Sequence, residues 1–251
     1  MRNFKTLSVF IILMLLVAPA ATQAQSKQPE ISVEQRQVIE KVIQDYLLRN
    51  PIIIRQAINA LRVKEENTKK ARVSETLKTY KQQIFRDETS PVGGNPKGDI
   101  TVVEFFDYNC GYCKRAATTL KAVVKRNPNI RVVYKEFAIL GPESTTAARA
   151  ALAAHRQGKY IEFHEGLMAG EANESNIVAL VKSLGMDYSR FRKDMGGPDI
   201  EAILQKNYQL ANILGITGTP VFVIGARIIP GAVSEEVLQR AVKEERARLK
   251  N

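Results

Sequence analysis

The stretch FFDYNCGYCKR, Phe105 to Arg115, contains the only two cysteines in 251 residues. Two thiols three positions apart, Cys110 and Cys113, can form a working redox couple, half of a metal site or a structural bridge. A bridge this short closes a tiny loop and removes little entropy from the unfolded chain, so stapling explains it poorly. Zinc wants four ligands, and the two histidines, His155 and His164, do not stand at zinc spacing from the cysteines. A soft ion such as Cu(I) suits a thiolate pair, although only two strong ligands are visible. A second oddity lies just upstream. Glu104 interrupts the apolar run TVVEFF, and a charge in a buried strand is costly unless it is paired. Glu104 reads either as a strand-edge residue reaching water or as a group with work to do, with Lys135 on the following strand as a possible partner. Thr219-Pro220, taken alone, reads as an ordinary trans proline entering a strand.

These residues need elements to hold them. Residues 1–24 have the layout of a signal peptide: Arg2 and Lys5, then the apolar run LSVFIILMLLV, then small residues up to Ala24. The run is shorter than the roughly 20 apolar residues of a comfortable membrane span. Cleavage near Ala24 would leave 227 residues and deliver the thiols to an oxidising compartment. The net charge of +11, or +9 without Arg2 and Lys5, is spread along helices beside Glu and Asp. No basic-aromatic pattern accompanies it, so solubility accounts for it and nucleic acid is not an expected partner.

Residues 25–88 read as a helical arm. Val38, Ile39, Val42, Ile43, Tyr46 and Leu47 make an apolar stripe at helical spacing. RNP breaks the pattern, with Asn50 as N-cap and Pro51 as first residue of a second helix running to about Phe85. Ile54, Ile58 and Leu61 form one heptad-like seam, and Val73, Leu77, Tyr80 and Ile84 form another. The polar segment KEENTKK lies between them. The seams fit self-association of the arm, or a helix folded back on its own domain. TSPVGGNPKGD, 89–99, reads as a linker. From residue 100 the order is strand (ITVVEFF), helix from the cysteines to about Lys125, and strand (IRVVYKEF). A helical block over about 142–198, a longer helix, a β-hairpin around Gly225 and a closing helix follow. A C-x-x-C where the first strand enters its helix, inside such a βαβ unit, points to an α/β, thioredoxin-like domain at 100–251.

VVEFFDYNCGYC, GTPVFVIG and the helical block between them resemble the DsbA-like branch of the thioredoxin superfamily. The arm ahead of them resembles its ScsC-like subgroup. The resemblance covers nearly the whole mature chain. It implies a thioredoxin-like fold with a helical insertion, preceded by an all-helical N-terminal arm. It also implies roles: Cys110 as the exposed nucleophile, Cys113 as the buried resolving thiol, and Gly111 and Tyr112 as tuning residues between them. Thr219-Pro220 becomes a cis-proline loop facing the sulfurs, where an extended substrate can pair as an added strand. Glu104 becomes the buried acid beneath the pair, accepting the proton of Cys113 during exchange. No cofactor and no metal are implied. The expected partners are cysteine-containing exported proteins, a membrane redox partner of the DsbB or DsbD type, and, through the arm, further copies of the chain.

Why cysteine at a helix start? Unpaired N–H groups there carry partial positive charge and favour a thiolate by about 0.3–1 kcal/mol, which is roughly one pKa unit or less. Further depression needs hydrogen bonds from the Gly111–Cys113 backbone to the sulfur. A lower pKa raises the thiolate fraction, but intrinsic nucleophilicity falls with a Brønsted slope of about 0.4–0.5, so attack gains little. The gain is a better leaving group and a favoured reduced form. The leading expectation is a periplasmic thiol:disulfide interchange protein, with its direction open. Gly-Tyr between the cysteines looks isomerase-like, and the single domain with a helical insertion looks oxidase-like. An exported chaperone whose arm holds clients and a copper-handling protein are the alternatives.

Overall fold

A computed structural model describes residues 31–250. The signal-peptide reading of 1–24 lies outside the described residues. The chain divides into two units, with the boundary between Leu61 and Arg62.

In the first unit, α1 (Val33–Arg49) opens with a capping box: Gln35 N–H donates to Ser32 Oγ, and Ser32 N–H donates to Gln35 Oε1. This satisfies two orphan donors of the first turn. Asn50 ends α1 instead of starting the next helix, because its backbone and side-chain amides both turn back to the Tyr46 carbonyl, each at 2.9 Å. α2 (Ile52–Thr79) follows, and the unit boundary falls within it. No residue of α1 is buried; Val38, Ile39, Val42, Ile43 and Tyr46 are all exposed, as are Ile54, Ile58 and Leu61 of α2. No helix among the described residues is long and apolar enough to cross a membrane.

In the second unit, α2 stops at Thr79, Tyr80 turns the backbone, and α3 (Lys81–Phe85) begins. The single long helix expected to reach Phe85 is therefore broken. The cause is burial: Leu77 and Ile84 pack into the domain core together, which a straight helix standing free would not need. Of the two arm seams, the second folds back on the domain.

A five-stranded sheet has the order β1-β3-β2-β4-β5. Its strands are β1 (Val92–Gly94), β2 (Ile100–Phe106), β3 (Ile130–Glu136), β4 (Val221–Ile224) and β5 (Arg227–Pro230). β2 and β3 are parallel; the other pairs are antiparallel. β1 lies inside the expected linker and corrects it: Val92–Gly94 pair with Arg131–Val133. Two glycines in a three-residue strand gave no β signal. Gly94 has φ +63°, and a Cβ there would sit 2.5 Å from the Ile130 carbonyl oxygen, so glycine is required.

α4 (Gly111–Arg126) follows β2, and α5 (Pro142–Arg156), α6 (Tyr160–Ala169), α7 (Glu174–Ser183) and α8 (Tyr188–Met195) make the insertion after β3. α9 (Pro198–Ile213) leads to the β4–β5 hairpin, and α10 (Glu235–Arg248) closes the chain. β2 is apolar on both faces because both are covered. Val102, Val132, Phe222 and Ile224 pack under α4 and α10. Val103, Phe105, Val133 and Val223 pack under Leu77, Ile84 and the α9 residues Leu210 and Ala211.

Candidate active site

β2, the central strand, delivers the chain to Asp107 just past its C-terminal end, and α4 carries it away. Cys110 is the N-cap of α4, with φ −84° and ψ 110°. Its N–H donates to the Asp107 carbonyl and its own carbonyl accepts from Lys114 N–H, both at 3.2 Å. Cys113, one turn in, faces the core. Both are free thiols, and their surroundings differ. Cys113 is 0% exposed and Cys110 is 7% exposed. The expectation of an exposed nucleophile thus narrows to a small window, bordered by the exposed Gly111 and by Tyr112 at 61% exposure.

The Thr219–Pro220 peptide is cis, and the Thr219 carbonyl faces Cys110, accepting from the thiol at 3.4 Å. That single weak bond favours the protonated form. The thiolate has more partners. Burial is the largest single influence on Cys110 and pushes its pKa up; hydrogen bonds from the Thr219 side chain, from Cys113 and from the Tyr112 N–H together outweigh it, and the net direction is down. Cys113 goes the opposite way. Burial pushes its thiol far up, against a 3.5 Å hydrogen bond from Asp107 N–H to its Sγ. The two sulfurs are thus pushed in opposite directions, Cys110 towards easier ionisation and Cys113 away from it.

Asp107 organises the loop. Its Oδ1 accepts from Asn109 N–H (2.8 Å) and Ser144 Oγ (2.7 Å), and its Oδ2 accepts from Ile139 N–H (2.8 Å) and Leu140 N–H (3.0 Å). One carboxylate therefore ties the cysteine loop to the segment after β3 and to the start of α5. Sequence reasoning passed over it, because an aspartate beside a turn looks like any turn former.

Glu104 is 0% exposed, and neither carboxyl oxygen has a partner. Burial pushes its pKa up to about 8. The strand-edge reading fails on this burial. Lys135 is not its partner either. In the parallel β2–β3 register Glu104 stands beside Tyr134, and Lys135 beside Phe105, so the lysine points from the opposite face of the sheet. There Lys135 Nζ meets Asp87 Oδ2 and Ser90 Oγ, each at 2.8 Å, while Asp87 Oδ1 takes Lys206 Nζ at 2.9 Å. Glu104 lies on the α4 face, on the wall of a cavity of about 280 Å³ shared with Tyr134, His164, Leu120 and Met168.

A second buried acid sits near the cysteine loop. Glu136 Oε1 accepts from Tyr160 OH (2.7 Å) and Tyr108 OH (3.2 Å), and Tyr108 OH lies 3.0 Å from His164 Nδ1. Burial pushes Glu136 up to about 8 and His164 down to about 3. His164 is therefore a neutral core residue. No cluster of three or more metal-ligating side chains exists among the described residues.

A thioredoxin-like sheet, a cysteine pair at the start of the helix that follows β2 and a cis-proline loop across from it define a thiol–disulfide exchange domain. Residues 101–243 match the DSBA-like thioredoxin domain, and the chain belongs to that family of thiol:disulfide oxidoreductases. Residues 35–67 match the copper resistance protein ScsC N-terminal domain. Among solved structures, the chain is 46% identical to a thioredoxin-like oxidoreductase from Silicibacter pomeroyi, with a TM-score of 0.64 over 66% of this chain and 97% of that one. It is 31% identical to Proteus mirabilis ScsC in a compact conformation, with a TM-score of 0.63 over 86% of this chain and 100% of that one. It is also 30% identical, over 155 residues, to a Na(+)/H(+) antiporter NhaA 1 from Salinispora arenicola. That match spans 60% of this chain but only about a quarter of the antiporter.

Proposed function

We propose that this chain is a periplasmic protein thiol:disulfide interchange protein acting on cysteine-containing exported proteins. Reduced Cys110 attacks a substrate disulfide, forming a mixed disulfide and releasing the substrate's second thiolate. Cys113, after losing its proton, attacks Cys110 Sγ, releases the substrate thiol and leaves the Cys110–Cys113 disulfide. The reverse sequence donates that disulfide. Glu104 accepts the Cys113 proton, and Thr219 offers its backbone to an extended substrate.

The observation that carries this reading is the contrast between the two sulfurs. Cys110 sits at a helix N-cap with its pKa lowered, and Cys113 is sealed with its pKa raised. An anion at Cys110 is the better leaving group and makes the reduced form favourable. The exposed apolar stripe of α1 supports self-association through the arm, since Val38, Ile39, Val42, Ile43 and Tyr46 are all exposed among the described residues. Several active sites in one assembly favour isomerase or reductase work over donation, with a membrane partner of the DsbD type returning the electrons.

Cys113→Ser tests the proposal. It traps client proteins as mixed disulfides on Cys110, resolved by non-reducing electrophoresis, whereas Cys110→Ser traps none. Trapping by Cys110→Ser at the same level would refute the assignment. Alkylation of intact cells fixes the direction: mostly reduced cysteines mean isomerase or reductase, and mostly oxidised ones mean donor.

A further inference from the structure

Tyr112 lies between the two cysteines and contributes no charge of its own. The structure gives it a second task. The guanidinium of Arg115 lies over the Tyr112 ring, with Cζ 4.3 Å from the ring centroid. A cation over an aromatic face within about 6 Å is attracted by the ring quadrupole. Tyr112 is among the most exposed aromatic residues of the domain and stands two positions after Cys110. Arg115 is exposed as well, and among the described residues it has no carboxylate partner. The neighbouring charges are committed elsewhere. Lys114 Nζ donates to the Gly170 carbonyl, and the Asp107 carboxylate is buried under four hydrogen bonds. The first turn of α4 carries no acidic side chain. Arg115 is therefore an exposed cation on the rim of the cysteine window with no carboxylate partner among the described residues, beside a helix end that is itself electropositive.

We infer that Arg115, held over Tyr112, is a specificity-determining residue that selects substrates with an acidic residue next to the reacting cysteine. The inference rests on the exchange chemistry proposed above. Arg115 touches no reacting atom; it acts on the charge of the segment that brings the substrate sulfur to Cys110. A charge beside the substrate cysteine, taken at about 8 Å in water, changes encounter roughly twofold, and replacing glutamate by lysine counts it twice. The expected preference is about fivefold at low salt, and added salt screens it.

The test uses the reduced protein and two peptides, each with one cysteine activated as a 2-pyridyl disulfide and with Glu or Lys beside it. The Cys110 thiolate attacks the peptide sulfur, the mixed disulfide forms, and pyridine-2-thione leaves and is read by stopped-flow absorbance. Cys113 then releases the peptide thiol and the protein disulfide forms, so the activated peptide is the oxidant. The ratio of second-order rates for the two peptides is taken on one protein, so any change in the reactivity of Cys110 itself cancels. The Glu peptide should be about fivefold faster, falling toward equality near 1 M salt. Arg115→Gln should bring the ratio to about one, and Arg115→Lys, which keeps the charge, should largely restore it. A ratio unchanged in Arg115→Gln overturns the specificity role while leaving the exchange reading intact. Thione release that is as fast in Cys110→Ser overturns both.

Discussion

Replacing Glu104 by Gln should stabilise the protein, by an amount that grows with pH. Glu104 is fully buried and its oxygens have no partner, so the fold accepts it only as the neutral acid. Its pKa rises from the ordinary 4.5 to about 8. A carboxyl whose pKa is raised by folding contributes fully below its unfolded value and loses that contribution as pH rises through the folded value. At about 1.36 kcal/mol per unit, Glu104 burdens the wild type by about 3 kcal/mol near pH 7 and about 5 kcal/mol above pH 8, as order-of-magnitude figures. Gln fills the same space and cannot ionise. The variant and wild type should therefore be within about 1 kcal/mol near pH 5 and separate by about 3 kcal/mol near pH 7. Glu136, the other acid pushed to about 8, is present in both proteins and cancels apart from its coupling to Glu104. Urea unfolding of the reduced proteins at the two pH values reads the difference. A gap independent of pH, or a wild type that is the more stable at pH 8, would refute the reasoning. If Glu104 takes the Cys113 proton as proposed, the same variant should slow release of mixed disulfides by Cys113.

Other expectations follow from the same geometry. Asp87→Ala strips the fully buried Lys135 of its counter-charge and should cost about 3–5 kcal/mol in urea unfolding. For Asp87 burial pushes the pKa up, but the Lys135 and Lys206 bonds win and hold it well below the ordinary 3.8, so its contribution persists above that value and is lost as pH falls through the folded one. Cys113→Ser should accumulate mixed disulfides that Cys110→Ser never forms, and Arg115→Gln should flatten the preference for acidic substrates.

Most of the domain was legible because its signals are local. ITVVEFF and IRVVYKEF are short, β-branched and apolar, and each forms one strand. The cysteine spacing named the start of α4, and Pro142 marked the start of α5. What escaped depends on tertiary partners. β1 forms where β3 offers it an edge, and two of its three residues, Gly93 and Gly94, are of a type depleted in strands. Asn50 has the composition of an N-cap but serves as a C-cap, since either end of a helix can use its amide. Lys135 was a reasonable partner for Glu104 by sequence distance, yet a strand's period of two placed them on opposite faces. Asp107 and the Tyr108–Glu136–Tyr160 cluster join segments far apart in sequence, and no spacing rule connects them. The arm was ambiguous for a physical reason. Its two seams look alike, but Leu77 and Ile84 pack into the domain core, whereas Ile54, Ile58 and Leu61 are exposed.

The most direct test is a pH titration of thiolate absorbance in the reduced protein, with Cys110→Ser as reference. One sulfur should titrate below the ordinary cysteine value of about 8.5 and be lost in Cys110→Ser, and the second should not ionise anywhere near it. A Cys110 that titrates at or above the ordinary value, or two sulfurs that titrate alike, would contradict that expectation.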